Sequence, residues 1–202
     1  MPIKAVIFDW GGVLMRTVDY APRHRWDDLL GLAYGSVERA VHGLDAWRHA
    51  QLGEIRIEEY WHSVGDHLGL TPEQVLRLRV DFYSGDKLDS SVVSLLRQCR
   101  EKNLKTGLLS NNTSDLLDMI KVAQLEGLFD AIVISADIHI MKPDPAAYVA
   151  VLDQLNITPA EAVMVDDFPT NIDGARSVGM AAVLFTPDGT WNDELLKLFT
   201  TS

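Results

Sequence analysis

The sequence predicts an α/β fold: a Rossmann-like parallel sheet interrupted by an all-helical insertion. Two observations carry this. Short apolar runs of strand length alternate with helical patterns from Leu88 onwards, and a first such run, Ile3–Phe8, stands ahead of a long helical stretch. The third observation is where the runs end. Four of the five stop on groups suited to chemistry, at the edge where open parallel sheets bind ligands: Asp9, Ser110 with Asn111, Asp137, and Asp166 with Asp167.

Taken in order, Ile3–Phe8 reads as a strand buried on both faces, ending on Asp9 and followed at once by the mobile backbone of Gly11 and Gly12. From Met15 to Lys87 no buried-strand run occurs. Ile57, Tyr60, Trp61, Val64 and Leu68 share one helical stripe, closed by Gly69, and Thr71-Pro72-Glu73-Gln74 opens the next helix with a capping box. The stretch from Pro22 to His49 reads as helical with a less regular period. The expected organisation is therefore a core of residues 1–14 and 88–202 with a helical insertion at 15–87.

In the core, the stripe of Val92, Leu95, Leu96 and Cys99 predicts a helix before the strand Lys105–Leu109. Leu116, Leu117 and Ile120 mark another ahead of Ala131–Ile134. Asp144-Pro145 caps a helix carrying Tyr148, Val151, Leu152 and Leu155, and Ala162–Val165 and Ala181–Phe185 complete the strands. A last helix is expected from about Trp191.

Bulk properties limit the partners. The 202 residues are 47% hydrophobic and 23% charged, enough for a sizeable core, and the formal net charge is −11. That balance argues against nucleic acid or an anionic membrane as partner, since both need a basic footprint. The single cysteine, Cys99, leaves no internal disulfide, and there is neither an apolar run near ~18 residues nor a leader pattern. A cytoplasmic location is expected. The six histidines lack the spacing of a helical metal pair; His24 and His49 fall in the expected insertion, and His139, between the Asp137 strand end and Lys142, is expected to border the site. Trp26, Trp47 and Trp61 read as core of the insertion, whereas Trp10 could either pack beneath it or line a pocket.

Each polar strand end also has a structural reading. Asp9 could cap a turn, Ser110 and Asn111 could cap the helix near Thr113, and Lys142 alone is an ordinary loop lysine. The adjacent Asp166-Asp167 pair resists such a reading, because two neighbouring carboxylates repel and a divalent cation relieves them. A hard cation such as Mg²⁺ suits this donor set. Together the groups suit nucleophilic phosphoryl transfer: Asp9 attacks phosphorus, Mg²⁺ screens the repulsion, and Lys142 and Ser110 stabilise the phosphoryl oxygens. Backbone N–H groups at Gly11 and Gly12 are expected to approach the phosphate.

In order and strand-end context, Asp9-Trp10-Gly11-Gly12-Val13, Ser110-Asn111, Lys142-Pro143 and Asp166-Asp167…Asn171 resemble the four motifs of the haloacid dehalogenase superfamily. By pattern the chain is similar to the subfamily holding bacterial α-glucose-1-phosphate phosphatases and the phosphatase domain of soluble epoxide hydrolases. The resemblance implies an Mg²⁺-dependent phosphatase of a small phosphorylated metabolite. Asp9 would be nucleophile; Ser110, Asn111 and Lys142 would hold phosphate. Mg²⁺ would sit on Asp9, the Gly11 carbonyl and Asp167, with Asp166 and Asn171 in support. It also implies that 15–87 is a cap closing over the site. One position departs: the family's phosphatases usually carry a second aspartate, a general acid and base, where this chain has Gly11. Two other readings follow, a phosphate-binding or regulatory protein without catalysis and a metal-free 2-haloacid dehalogenase.

Overall fold

The computed structural model describes residues 2–200. Strand β1 (Ala5–Phe8) leads into a short strand β2 (Met15–Thr17). Five helices follow, α1–α5 at Ala21–Leu30, Ser36–Gly43, Asp45–Gln51, Ile57–Leu68 and Pro72–Tyr83, and the chain returns through β3 (Asp86–Leu88). Then come α6 (Ser90–Glu101), β4 (Lys105–Ser110), α7 (Leu116–Val122), β5 (Ala131–Ile134), α8 (Ser135–Ile138) and α9 (Pro145–Leu155). The chain finishes with β6 (Ala162–Asp166), α10 (Pro169–Ser177), β7 (Ala181–Leu184) and α11 (Thr190–Thr200).

Five strands form one all-parallel sheet in the order β5-β4-β1-β6-β7. β1 is central because it is apolar throughout: Val6 and Phe8 pack in the cluster under α6, α7 and α11, while Ala5 and Ile7 pack in the one under α9 and α10. Phe8 is level with Leu108 and Val165, so Asp9 leaves the sheet beside Asp166. The chain passes from β1 towards β4 and β5 on one side and from β6 to β7 on the other. That reversal opens a crevice at the C-terminal strand ends.

The helices α1–α5 close around a core of their own, which includes Trp26, Tyr60, Trp61, Leu78 and Phe82, with Trp47 packed against it. The insertion is not helical to its ends. β2 and β3 pair antiparallel, Met15 with Leu88 and Thr17 with Asp86, into a two-stranded ribbon. Three-residue strands with half-buried polar positions carry no apolar run, so the sequence pattern misses them. The expected core ends at Met1 and at 201–202 lie outside the described residues.

Arg23 ties α1 to this ribbon. Its guanidinium is buried; it donates to Thr17 Oγ1 (2.7 Å) and the Phe82 carbonyl (2.9 Å) and pairs with Asp86 and Glu38, each at 2.9 Å. It also lies over the Phe82 ring, 4.1 Å from its centroid. Arg23→Ala leaves two carboxylates and a carbonyl without their cation, and such a loss costs about 3 kcal/mol. Chemical denaturation followed by tryptophan fluorescence will show the helical unit melting earlier in this variant.

Candidate active site

Three carboxylates and one lysine meet at the crevice. Lys142, buried in the loop between α8 and α9, sets its Nζ 3.1 Å from Asp9 Oδ1 and 2.6 Å from Asp166 Oδ2. Asp9, Asp166 and Asp167 each bring a carboxylate oxygen within 4.8 Å of the others. One cation against three acids leaves the cluster negative.

The acids are not equivalent. Asp166 is fully buried and spent on protein: Oδ1 accepts the Phe168 N–H (2.8 Å), Oδ2 takes Lys142, and the Asn171 amide reaches both oxygens (3.0 and 3.2 Å). Asn171 belongs to the first turn of α10, whose start places the amide back over Asp166. Asp9 makes its contacts through Oδ1 alone, to Lys142 and to the Trp10 N–H at 2.7 Å, leaving Oδ2 without a partner among the described residues. Asp167 Oδ1 is buried with no partner among the described residues.

Electrostatics follow this division. Burial pushes the Asp9 carboxyl up to about 6; Lys142 opposes the shift and Asp166 adds to it. Burial, reinforced by Asp166, also raises Asp167. For Lys142, burial works against the charged form, but Asp9 and Asp166 together outweigh it and hold its pKa above the ordinary lysine value.

A divalent cation fits this arrangement. The orphaned Asp167 oxygen and the excess negative charge are what a hard cation would satisfy, using Asp9 and Asp167 as oxygen donors. The loop is shaped for it: Gly12 has φ +74°, and a Cβ there would lie 2.0 Å from Asp167 Oδ2. The Gly12 N–H, expected at the phosphate, instead donates to the Met15 carbonyl (2.9 Å), because residues 10–15 close into a tight turn. Gly12 thus serves the site by giving space to Asp167.

Ser110 ends β4 buried, its hydroxyl unpartnered among the described residues and available to a ligand. Asn111, expected to bind phosphate, has its side chain committed elsewhere. Its Oδ1 accepts the Lys142 N–H (2.8 Å) and its Nδ2 donates to the Lys142 carbonyl (2.9 Å), so both ends of the amide are occupied. Asp137 does not reach the site; β5 runs directly into α8, and the carboxylate accepts from Ser114 Oγ at 2.5 Å. Trp10 packs into the core, 2% exposed. His139 bonds the Leu52 carbonyl. Gly11 is exposed, and a Cβ there meets nothing within 4 Å.

The family model of haloacid dehalogenase-like hydrolases matches residues 3–179, a span holding every group just described. The chain belongs to this family. It is 26% identical to a sesquiterpene phosphatase of Aspergillus oryzae over 91% of this chain and 90% of that one. It is 28% identical to a phosphatase of Mycobacterium tuberculosis over 98% and 94%. In fold it matches a family enzyme from Bacteroides thetaiotaomicron solved with magnesium and inorganic phosphate, with a TM-score of 0.78 at 20% identity over 95% and 98% of the chains. These relatives support a phosphoric monoester hydrolase, as the haloacid dehalogenase-like motifs imply.

Because Asp167 is held near Asp166 with its Oδ1 unpartnered among the described residues, Asp167→Asn will raise the Tm of the metal-free protein. The expected rise is about 2–4 °C, equivalent to ~1 kcal/mol in a chain of this size. Added Mg²⁺ will raise the Tm of the parent chain and leave this variant unchanged, as read by differential scanning calorimetry.

Proposed function

We propose that this protein is an Mg²⁺-dependent phosphatase of a small phosphorylated metabolite, working through an aspartyl-phosphate on Asp9. The observation that carries the reading is the division of labour among the acids: Asp166 is consumed by Lys142 and Asn171, while Asp9 Oδ2 and Asp167 Oδ1 have no partner among the described residues, and one oxygen from each of the three carboxylates lies within 4.8 Å of the others.

In this mechanism Asp9 Oδ2 attacks phosphorus, a phosphorus–oxygen bond forms, and the bond to the leaving alcohol breaks. Lys142 and the Ser110 hydroxyl hold the non-bridging oxygens as charge shifts onto the leaving oxygen. Asp9, Asp167 and the Gly11 carbonyl would hold Mg²⁺, which would supply the positive charge that lets two anions meet. Asp9 must be ionised to attack, and Lys142 favours that form against burial. The leaving oxygen takes its proton from water, since Gly11 offers none. Water then attacks phosphorus, releasing inorganic phosphate and restoring the carboxylate. The helices α1–α5 act as the cap over this edge, with the ribbon β2–β3 as its stem, and a cytoplasmic location belongs to the same reading. The half-buried Asp167 beside Gly12, with its Oδ1 buried and unpartnered among the described residues, favours this reading over dehalogenation, which has no use for a metal.

The test is phosphate release from p-nitrophenyl phosphate and a panel of sugar phosphates. Turnover is expected with Mg²⁺, is lost with chelator, and is lost in Asp9→Asn; a panel without any turnover would overturn the assignment. Because a Cβ at Gly11 meets nothing, Gly11→Asp will be tolerated and will supply the missing acid. It will raise kcat on alkyl phosphates by roughly 10²-fold, the lower range for general acid catalysis, and change p-nitrophenyl phosphate little.

A further inference from the structure

We propose that Gln51, at the end of α3 in the helical unit, is a positioning residue for Lys142 and acts through Asn111. The inference rests on the role given above to Lys142 and adds a residue from outside the catalytic motifs.

Gln51 Nε2 donates to the Asn111 carbonyl at 2.7 Å, reaching from the helical unit to the loop after β4. Asn111 in turn clasps the Lys142 peptide from both sides, through Oδ1 to its N–H and Nδ2 to its carbonyl. Lys142 Nζ then bridges Asp9 and Asp166. Two consecutive links therefore join a helix of the insertion to the one cation of the cluster, and a third joins that cation to its acids. The backbone around Gln51 is seated on the same loop. Its carbonyl accepts from the buried Ser135 Oγ (2.6 Å), which itself accepts the Asn112 N–H (3.0 Å). The next carbonyl, of Leu52, accepts from His139 Nδ1 at 2.7 Å. Gly53 allows this close seat: its φ is +67°, and a Cβ would lie 2.4 Å from the Ala136 carbonyl oxygen.

None of these groups touches phosphate in the mechanism above, yet together they fix where Asn111 stands. Small displacements of a catalytic group are costly, since rate falls steeply with misalignment. A glutamine suits the task because it supplies a neutral donor long enough to cross to the carbonyl without adding charge to an already acidic cluster. Seating the helical unit and aiming Lys142 become one event.

The test compares the parent chain with Gln51→Met, which keeps length but lacks the donor, and Gln51→Glu, which turns an acceptor towards the Asn111 carbonyl. Two quantities are read: kcat and KM on p-nitrophenyl phosphate with Mg²⁺, and amide hydrogen exchange at the Lys142 N–H by NMR. We expect kcat to fall about five- to ten-fold with KM little changed, and exchange at Lys142 to quicken by a similar factor, the scale of one hydrogen bond. In an Asn111→Ala background the same substitutions should cost nothing more. Unchanged kcat and exchange, or an equal loss in the Asn111→Ala background, would overturn the proposal. A parent chain without turnover would count against the phosphatase reading alone, and the exchange rate would still decide the role of Gln51. Should one substitution prevent folding, the other carries the comparison.

Discussion

The bridge from Lys142 to Asp9 and Asp166 is the interaction on which the catalytic edge depends. Two chain segments, distant in sequence, end within reach of an ammonium group carried by a third. A buried cation survives only when its partners repay the lost hydration, and here two carboxylates do so. The sheet makes this possible, because the parallel pairing of β1 and β6 sets Asp9 and Asp166 side by side. Lys142 is then aimed by the Asn111 clasp, not by the sheet. Rigid register supplies two corners of the site and a side-chain amide supplies the third.

The excess acid in this cluster is functional strain of a simple kind. A chain selected for stability alone would neutralise Asp167 or lend it a donor. Instead Asp167 Oδ1 has no donor among the described residues, and Gly12 leaves room where a Cβ would meet that carboxylate. Asp166, by contrast, is so fully hydrogen-bonded that it acts as a brace. Two adjacent residues of one type thus hold opposite duties, decided by what surrounds them.

Much of this was legible in the sequence, for reasons particular residues make plain. A strand buried on both faces must be apolar, so Ala5–Phe8 and Ala162–Val165 announced themselves, and the acids that follow them stood out by contrast. The capped helices at Thr71 and Asp144 were equally readable, because each cap answers a local hydrogen-bonding need. What could not be read depends on tertiary approach. β2 and β3 are strands only because they find each other across the insertion. Asp137 follows a good strand, yet β5 turns at once into α8 and takes the carboxylate elsewhere. The diversion of the Gly12 N–H to Met15 and the reach of Gln51 to Asn111 leave no local pattern at all.

The ribbon has a consequence beyond mechanics. The chain leaves the core along β2 and comes back along β3, and past the last pair the Val18 N–H still bonds the Gly85 carbonyl at 3.0 Å. The two ends of the insertion therefore meet at a single point on the core surface. The helices α1–α5 enclose their own hydrophobic cluster, so what lies beyond that point is close to a self-contained cassette. Recombination at the stem could exchange one set of helices for another while β1, β4 and β6 keep their register. Such a fold lets the helical unit vary while the strand ends carrying Asp9 and Asp166 stay as they are.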